Sequence, residues 1–149
     1  MSIAAVNVNG LRDKASYSKL KTICRVLKRS KRQVNILIDT RADETTAYKL
    51  EKHWGGTVLT TEPRDRANAG VAILSSYPAE AFTNIDRDPE GKYLLANLKV
   101  EGESFLIAAI YAPADNAANR KRFFTKINDV ITERQESGRV VLLGDFNMI

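Results

Sequence analysis

The chain has 149 residues, 44% of them hydrophobic and 28% charged, with a formal net charge of +5. That length supports one domain with its own core, no apolar run approaches the length of a membrane span, and the positive balance favours polyanionic partners. The single cysteine, Cys24, excludes an internal disulfide, and the single histidine, His53, excludes a multi-histidine metal site. Met1 to Asn9 shows no basic stretch followed by an apolar one, so a reducing, intracellular setting, nucleus or cytoplasm, is expected.

In chain order, Ser2 to Val8 reads as a strand. It runs into Asn7-Val8-Asn9-Gly10, where Asn9-Gly10 is a turn signal and an extended backbone would put Asn7 and Asn9 on one side. Tyr17 to Arg32 reads as a helix, with Leu20, Ile23, Cys24 and Leu27 spaced as one apolar stripe and Cys24 as a buried structural thiol. Its end, Lys28-Arg29-Ser30-Lys31-Arg32, is either a solvated basic terminus, a phosphate-binding cluster or a nuclear-import signal. Val34 to Ile38 is a buried strand that delivers Asp39. Thr40 or Asp43 caps a following helix that runs to His53 or Trp54, with Ala47, Leu50, Glu51 and Trp54 on one face and His53 on the surface.

After Gly55-Gly56 come strands at Thr57–Thr61 and Gly70–Leu74, separated by a polar loop, Glu62–Ala69, that holds Arg64 and Arg66. Ala79 to Lys92 reads as mostly irregular, with a turn over Asp86–Gly91. Tyr93–Val100 and Ser104–Tyr111 form a hairpin about Glu101-Gly102-Glu103. Tyr111 closes its second strand, either as an aromatic plug or as a hydroxyl for a phosphate. The last helix, Asn119 to Glu136, has Phe123, Phe124, Ile127, Val130 and Ile131 on its apolar face. Arg120, Lys121, Arg122 and Lys126 line its start, where positive charge opposes the helix dipole and hints at a use beyond stability.

Val140 to Leu143 then reads as a strand buried on both faces. Gly144 permits a sharp turn, and Asp145 and Asn147 follow two residues apart. Such a pair is either a polar turn with Asn147 capping it, or a site for a hard cation, a phosphate or an attacking water.

Asn7, Asp39, Tyr111, Asp145 and Asn147 thus all fall at strand ends, where mixed α/β folds carry their sites. With Asn7–Arg12, Val34–Arg41, Trp54–Gly56, Ala69–Leu74, Ile110–Pro113 and Leu142–Asn147 in this order, the chain resembles the endonuclease/exonuclease/phosphatase superfamily. Within it, the likeness is to the apurinic-type endonuclease domain of non-LTR retrotransposons. The resemblance implies an α/β fold, a portion of a four-layer α/β sandwich with mixed β-sheet and flanking helices, formed by residues 1–149 as a single domain. It implies nicking of DNA with Mg²⁺ or Mn²⁺, the 3′ end of the nick priming reverse transcription.

Carried over by residue, Asn7, Tyr111, Asp145 and Asn147 are the implied catalytic set. Asp145 orients the attacking water, Tyr111 and Asn147 meet the phosphate, and Asp39 and Asn7 are the implied metal ligands. Arg12, Lys28, Arg29, Lys31, Arg32, Arg120, Lys121 and Arg122 are expected on the DNA backbone.

Two departures from the pattern set further expectations. Asp39 stands where the family has glutamate, one methylene longer. The family pattern also continues past Ile149 to a serine-aspartate-histidine segment. The chain is therefore expected to hold one sheet and little of the second, its open face covered by the rest of the domain or by another copy of the chain. The alternative is a scaffold without catalysis, used for oligomeric assembly or nucleic-acid binding. No membrane association is expected.

Overall fold

Aliphatic and β-branched runs form eight strands among the described residues, which are 1–62, 69–134 and 138–148 of the computed structural model. In chain order these are β1 (Ile3–Asn7), β2 (Val34–Ile38), β3 (Thr57–Thr60), β4 (Val71–Ser75), β5 (Phe82–Arg87), β6 (Tyr93–Val100), β7 (Glu103–Tyr111) and β8 (Arg139–Asp145). Three α-helices among the described residues, α1 (Ser18–Ser30), α2 (Glu44–Trp54) and α3 (Ala117–Glu133), and one 3-10 turn at Ala79–Ala81 connect them. The loop positions Arg64 and Arg66 lie outside the described residues. Caps explain where two helices start. Asp43 accepts from the Thr46 N–H at 2.8 Å ahead of α2, and Asn116 accepts from the Asn119 N–H at 2.8 Å ahead of α3.

The strands make two four-stranded mixed sheets, in the orders β1-β2-β4-β3 and β5-β6-β7-β8, with β1 parallel to β2 and β7 parallel to β8. This corrects the expectation of a single sheet with an open face. The inner faces cover one another: Val34, Ile36, Ile38, Val71 and Ile73 of the first sheet pack with Leu94, Leu98 and Ile107 of the second. On the outer face of the first sheet, Leu20 and Cys24 of α1 and Leu50 and Trp54 of α2 meet Leu37 and Leu74. On the outer face of the second, Phe123, Phe124 and Ile127 of α3 meet Leu95, Leu106 and Ile110. Central strands covered on both sides need apolar residues in both phases of the pleat, which is why β4 reads Val71-Ala72-Ile73-Leu74 and β2 reads Ile36-Leu37-Ile38 after Asn35, whose buried amide donates to the Leu74 carbonyl at 3.3 Å. Each fully buried Leu or Ile contributes roughly 1.5–3 kcal/mol to this core.

Two local readings are corrected. Strand β5 forms where an irregular stretch was expected. Its inward residues, Phe82 and Ile85, stand three apart, and a register shift between Thr83 and Asp86 realigns them, so simple alternation fails in the sequence. Strand β8 is buried on one face only. Val141 and Leu143 pack on the inter-sheet core, whereas Val140 and Leu142 are 51% and 41% exposed, because β8 is an edge strand beyond the reach of α3. Glu51 follows the apolar spacing of α2 yet is exposed. No described helix is long and apolar enough to cross a membrane.

Candidate functional site

Parallel pairing places the C-terminal ends of β1 and β2 together, and likewise those of β7 and β8; where β1 meets β8 the four ends converge. The ends of β1 and β8 are built alike. After β1, the Asn9 N–H donates to Asn7 Oδ1 at 2.9 Å, and after β8, the Asn147 N–H donates to Asp145 Oδ1 at 3.0 Å. Both asparagines take a left-handed backbone, φ 50° at Asn9 and 48° at Asn147, a conformation that Asn tolerates better than most residues. The residues between, Val8 and Phe146, turn outward into the two helix-facing cores. These turns end the extended geometry, so the side chains two residues apart do not simply share a side. The Asn147 Nδ2 instead donates to the Ala112 carbonyl at 2.5 Å, and it is Asp145 that accepts from the turn.

Across the two sheets, the Asn7 Nδ2 donates to Asp145 Oδ2 at 3.5 Å. This contact borders a cleft of about 630 Å³ lined by Val6, Asn7, Arg120, Asp145, Asn147 and Met148, among others. Tyr111 pairs with Asp145 across the β7–β8 ladder, and Lys92 Nζ lies 4.4 Å from the centre of its ring. Burial raises the Tyr111 phenol above its ordinary value, as do the negative charges of Asp39 and Asp145, with the Arg41 charge opposing. Its phenol therefore keeps its proton and can donate it in a hydrogen bond.

Asp39 is buried and left-handed, with φ 61°. Both of its oxygens are taken by Arg41, Nε donating to Oδ1 at 3.1 Å and Nη2 to Oδ2 at 2.9 Å. The hydrogen bond and charge of Asp39 hold the Arg41 guanidinium yet more firmly protonated. Arg41 was not expected in the site from the sequence, and Asn9, read there as a turn residue beside Asn7, accepts from it as well. The available signal was a cation two positions after an acid at a buried strand end.

The basic residues separate into different places. Arg120 lines the cleft. Lys121 faces a groove along α3 with Thr125 and Asp129, and Arg122 hydrogen-bonds to Asn119 and lines a groove with Lys92 and Lys126. Arg12 lies 4.0 Å from Asp43 and over the Tyr17 ring. Lys28, Lys31 and Arg32 border another cleft with Trp54 and Ser76, where Lys28 Nζ donates to the His53 carbonyl at 2.6 Å. That cleft is at the N-terminal end of β2, opposite the strand ends that carry Asn7 and Asp39. Arg29 is exposed on the same helix end.

The donor set, as arranged, does not fit a resident divalent cation. Asp39 is fully engaged by a guanidinium, Asp145 by two amide N–H groups, and no group of three or more His, Cys, Asp or Glu side chains that could hold a metal ion occurs among the described residues.

Two facing mixed sheets with helices on both outer faces define the endonuclease/exonuclease/phosphatase fold. Among solved structures, the chain is similar to a β-hairpin deletion mutant of beta toxin from Staphylococcus aureus, with TM-score 0.74 and 15% identity over 99% of this chain and 67% of that one. It is similar to truncated Caenorhabditis elegans TDP2, with TM-score 0.74 and 15% identity over 99% and 62%. It is also similar to D. rerio TDP2 complexed with a single-strand DNA product, with TM-score 0.75 and 18% identity over 100% and 61%. The chain spans between 48% and 67% of the length of such structures. No protein-family profile matches the sequence.

Proposed function

We propose that the cleft at the ends of β1, β2, β7 and β8 binds the phosphodiester backbone of DNA, and that residues 1–149 are the corresponding part of a DNA-processing phosphodiesterase domain. The observation that carries this reading is the Asn7–Asp145 contact, an amide of one sheet meeting a carboxylate of the other at 3.5 Å beside an open cleft. A carboxylate so placed can orient a water toward phosphorus. Asn7, the second N–H of the Asn147 amide, the Tyr111 hydroxyl and the Arg120 guanidinium are donors for phosphate oxygens. The single-strand DNA product held by D. rerio TDP2, which has this fold, supports DNA as the ligand.

Target-DNA nicking of the retrotransposon type, in nucleus or cytoplasm, is the particular activity that the order of the six motif segments supports. Mg²⁺ or Mn²⁺ at Asp39 and Asn7 belongs to this proposal only in a state where Arg41 has left Asp39. The Asp39–Arg41 pair also favours a second reading, a scaffold that binds nucleic acid without cleaving it. The exposed Val6, Val140 and Leu142 support either further chain of the same domain or another copy beside β1 and β8.

The test is plasmid nicking by the purified chain in Mg²⁺ or Mn²⁺, beside Asp145→Ala, with DNA affinity measured at low and moderate salt. Nicking that Asp145→Ala abolishes supports hydrolysis. Salt-sensitive binding without nicking supports the second reading. Absence of both refutes the nucleic-acid assignment.

A further inference from the structure

Arg41 is held as exposed arginines rarely are. Two parallel bonds tie it to Asp39, and Nη2 donates a further one to Asn9 Oδ1 at 2.9 Å. The Asp39 side chain beneath is 4% exposed and that of Arg41 is 46% exposed, so the carboxylate is the floor and the guanidinium is the surface. The backbone under it is fixed as well. The Arg41 N–H donates to the Ala69 carbonyl at 2.7 Å, the Thr40 N–H to Gly70 at 3.1 Å, and the Gly10 N–H to Asp39 at 2.7 Å.

Asn9, Asp39 and Arg41 are all left-handed, a conformation that persists in such residues only where the surroundings enforce it. Gly10 leaves room for the side chain to lie across it: a Cβ there would stand 3.4 Å from Arg41 Cδ. An arginine carries five N–H groups, and these bonds use three. The two on Nη1 have no acceptor among the described residues.

We propose that Arg41, which follows Ile38 of the cleft wall by three residues, binds a phosphate of the nucleic acid beside that cleft. Asp39 and Asn9 hold its guanidinium in place, and the Nη1 donors take a non-bridging oxygen of a nucleic-acid phosphate with no divalent ion between them. This rests on the reading that DNA occupies the cleft. The pair carries no net charge, so its contribution is oriented donors rather than long-range attraction. A planar fork already locked to a carboxylate loses little freedom on binding a second anion.

The test is fluorescence anisotropy of a labelled single-stranded oligonucleotide in EDTA and again in Mg²⁺, with the wild type, Asp39→Asn/Arg41→Gln, Arg41→Lys and Arg120→Ala. The double variant removes one charge of each sign and so keeps the net charge of +5. It is expected to bind about tenfold more weakly in EDTA. Arg41→Lys is expected not to recover the loss. Wild-type binding in EDTA is expected to equal that in Mg²⁺ at matched ionic strength.

Unchanged affinity of the double variant, or wild-type binding that requires Mg²⁺, overturns the proposal. If Arg120→Ala weakens binding while the double variant does not, Arg41 alone loses its role. If the wild type binds no oligonucleotide in either buffer, the DNA reading falls first and this one with it. A measurement that needs no folded variant is NMR of the wild-type Arg41 Nε–Hε signal during titration with inorganic phosphate. A shift supports the proposal and a static signal refutes it.

Discussion

Asn9 and Asn147 do the same work at two strand ends: each closes a turn on the side chain two residues before it, and each uses its own amide to secure a neighbour. Asp43 acts as singly at the start of α2. Its carboxyl is held below the ordinary value of 3.8, first by the Thr46 N–H and then by the Thr46 side chain. Asp43→Ala is expected to cost about 1 kcal/mol, lowering Tm by about 3 °C. Because the folded value is the depressed one, this stabilisation is complete above the unfolded value. It is lost as pH falls from there through the folded value. Urea midpoints of wild type and Asp43→Ala should therefore differ by a constant amount at neutral pH and converge in acid below about 4. At Cys24, burial raises the thiol, consistent with a structural role in the core beneath α1.

At the scale of elements, β8 decides whether the site exists. It delivers Asp145 opposite Tyr111, and it does so through Gly144, which sits against Ile110 with φ 147°. A Cβ at Gly144 would stand 1.9 Å from the Ile110 carbonyl oxygen, and neither backbone can yield without breaking the ladder. Gly144→Ala is expected to lose at least about 3 kcal/mol in denaturant unfolding and to lose DNA binding with it. Retained binding at wild-type stability would show that the β7–β8 register does not hold the site. The outer side of β8 has the opposite character: Val140 and Leu142 stabilise nothing that α3 touches, and they leave an apolar strip on an edge.

Across the whole molecule, the inter-sheet core is the joint that brings Asn7 to Asp145, residues 138 positions apart. Amide hydrogen exchange should find β2, β4, β6 and β7 the slowest, since each is paired on both sides. Edge strands β1 and β8 should exchange sooner. Protection of β8 equal to that of β7 would mean that its outer edge is covered in solution. The charge is distributed, not pooled: Arg120 serves the cleft, whereas Lys28, Lys31 and Arg32 serve the opposite end of the first sheet. A long nucleic acid would therefore meet these groups as separate surfaces.

By itself the sequence determined the strands and helices with strong local patterns and the order of motif segments that points to this fold. It also determined that Asn7, Asp39, Tyr111 and Asp145 stand at strand ends, because periodicity and strand boundaries are properties of neighbouring residues. Strand β5 escaped because a bulge spaces Phe82 and Ile85 out of simple alternation. Tertiary structure alone decided that two sheets close on each other, that β8 lies at an edge, that Arg41 occupies Asp39, and that the basic cluster on α1 faces away from the cleft. Each of these depends on which distant segments lie side by side. That choice is made by burying the inner faces of both sheets together, and no short stretch of the chain encodes it.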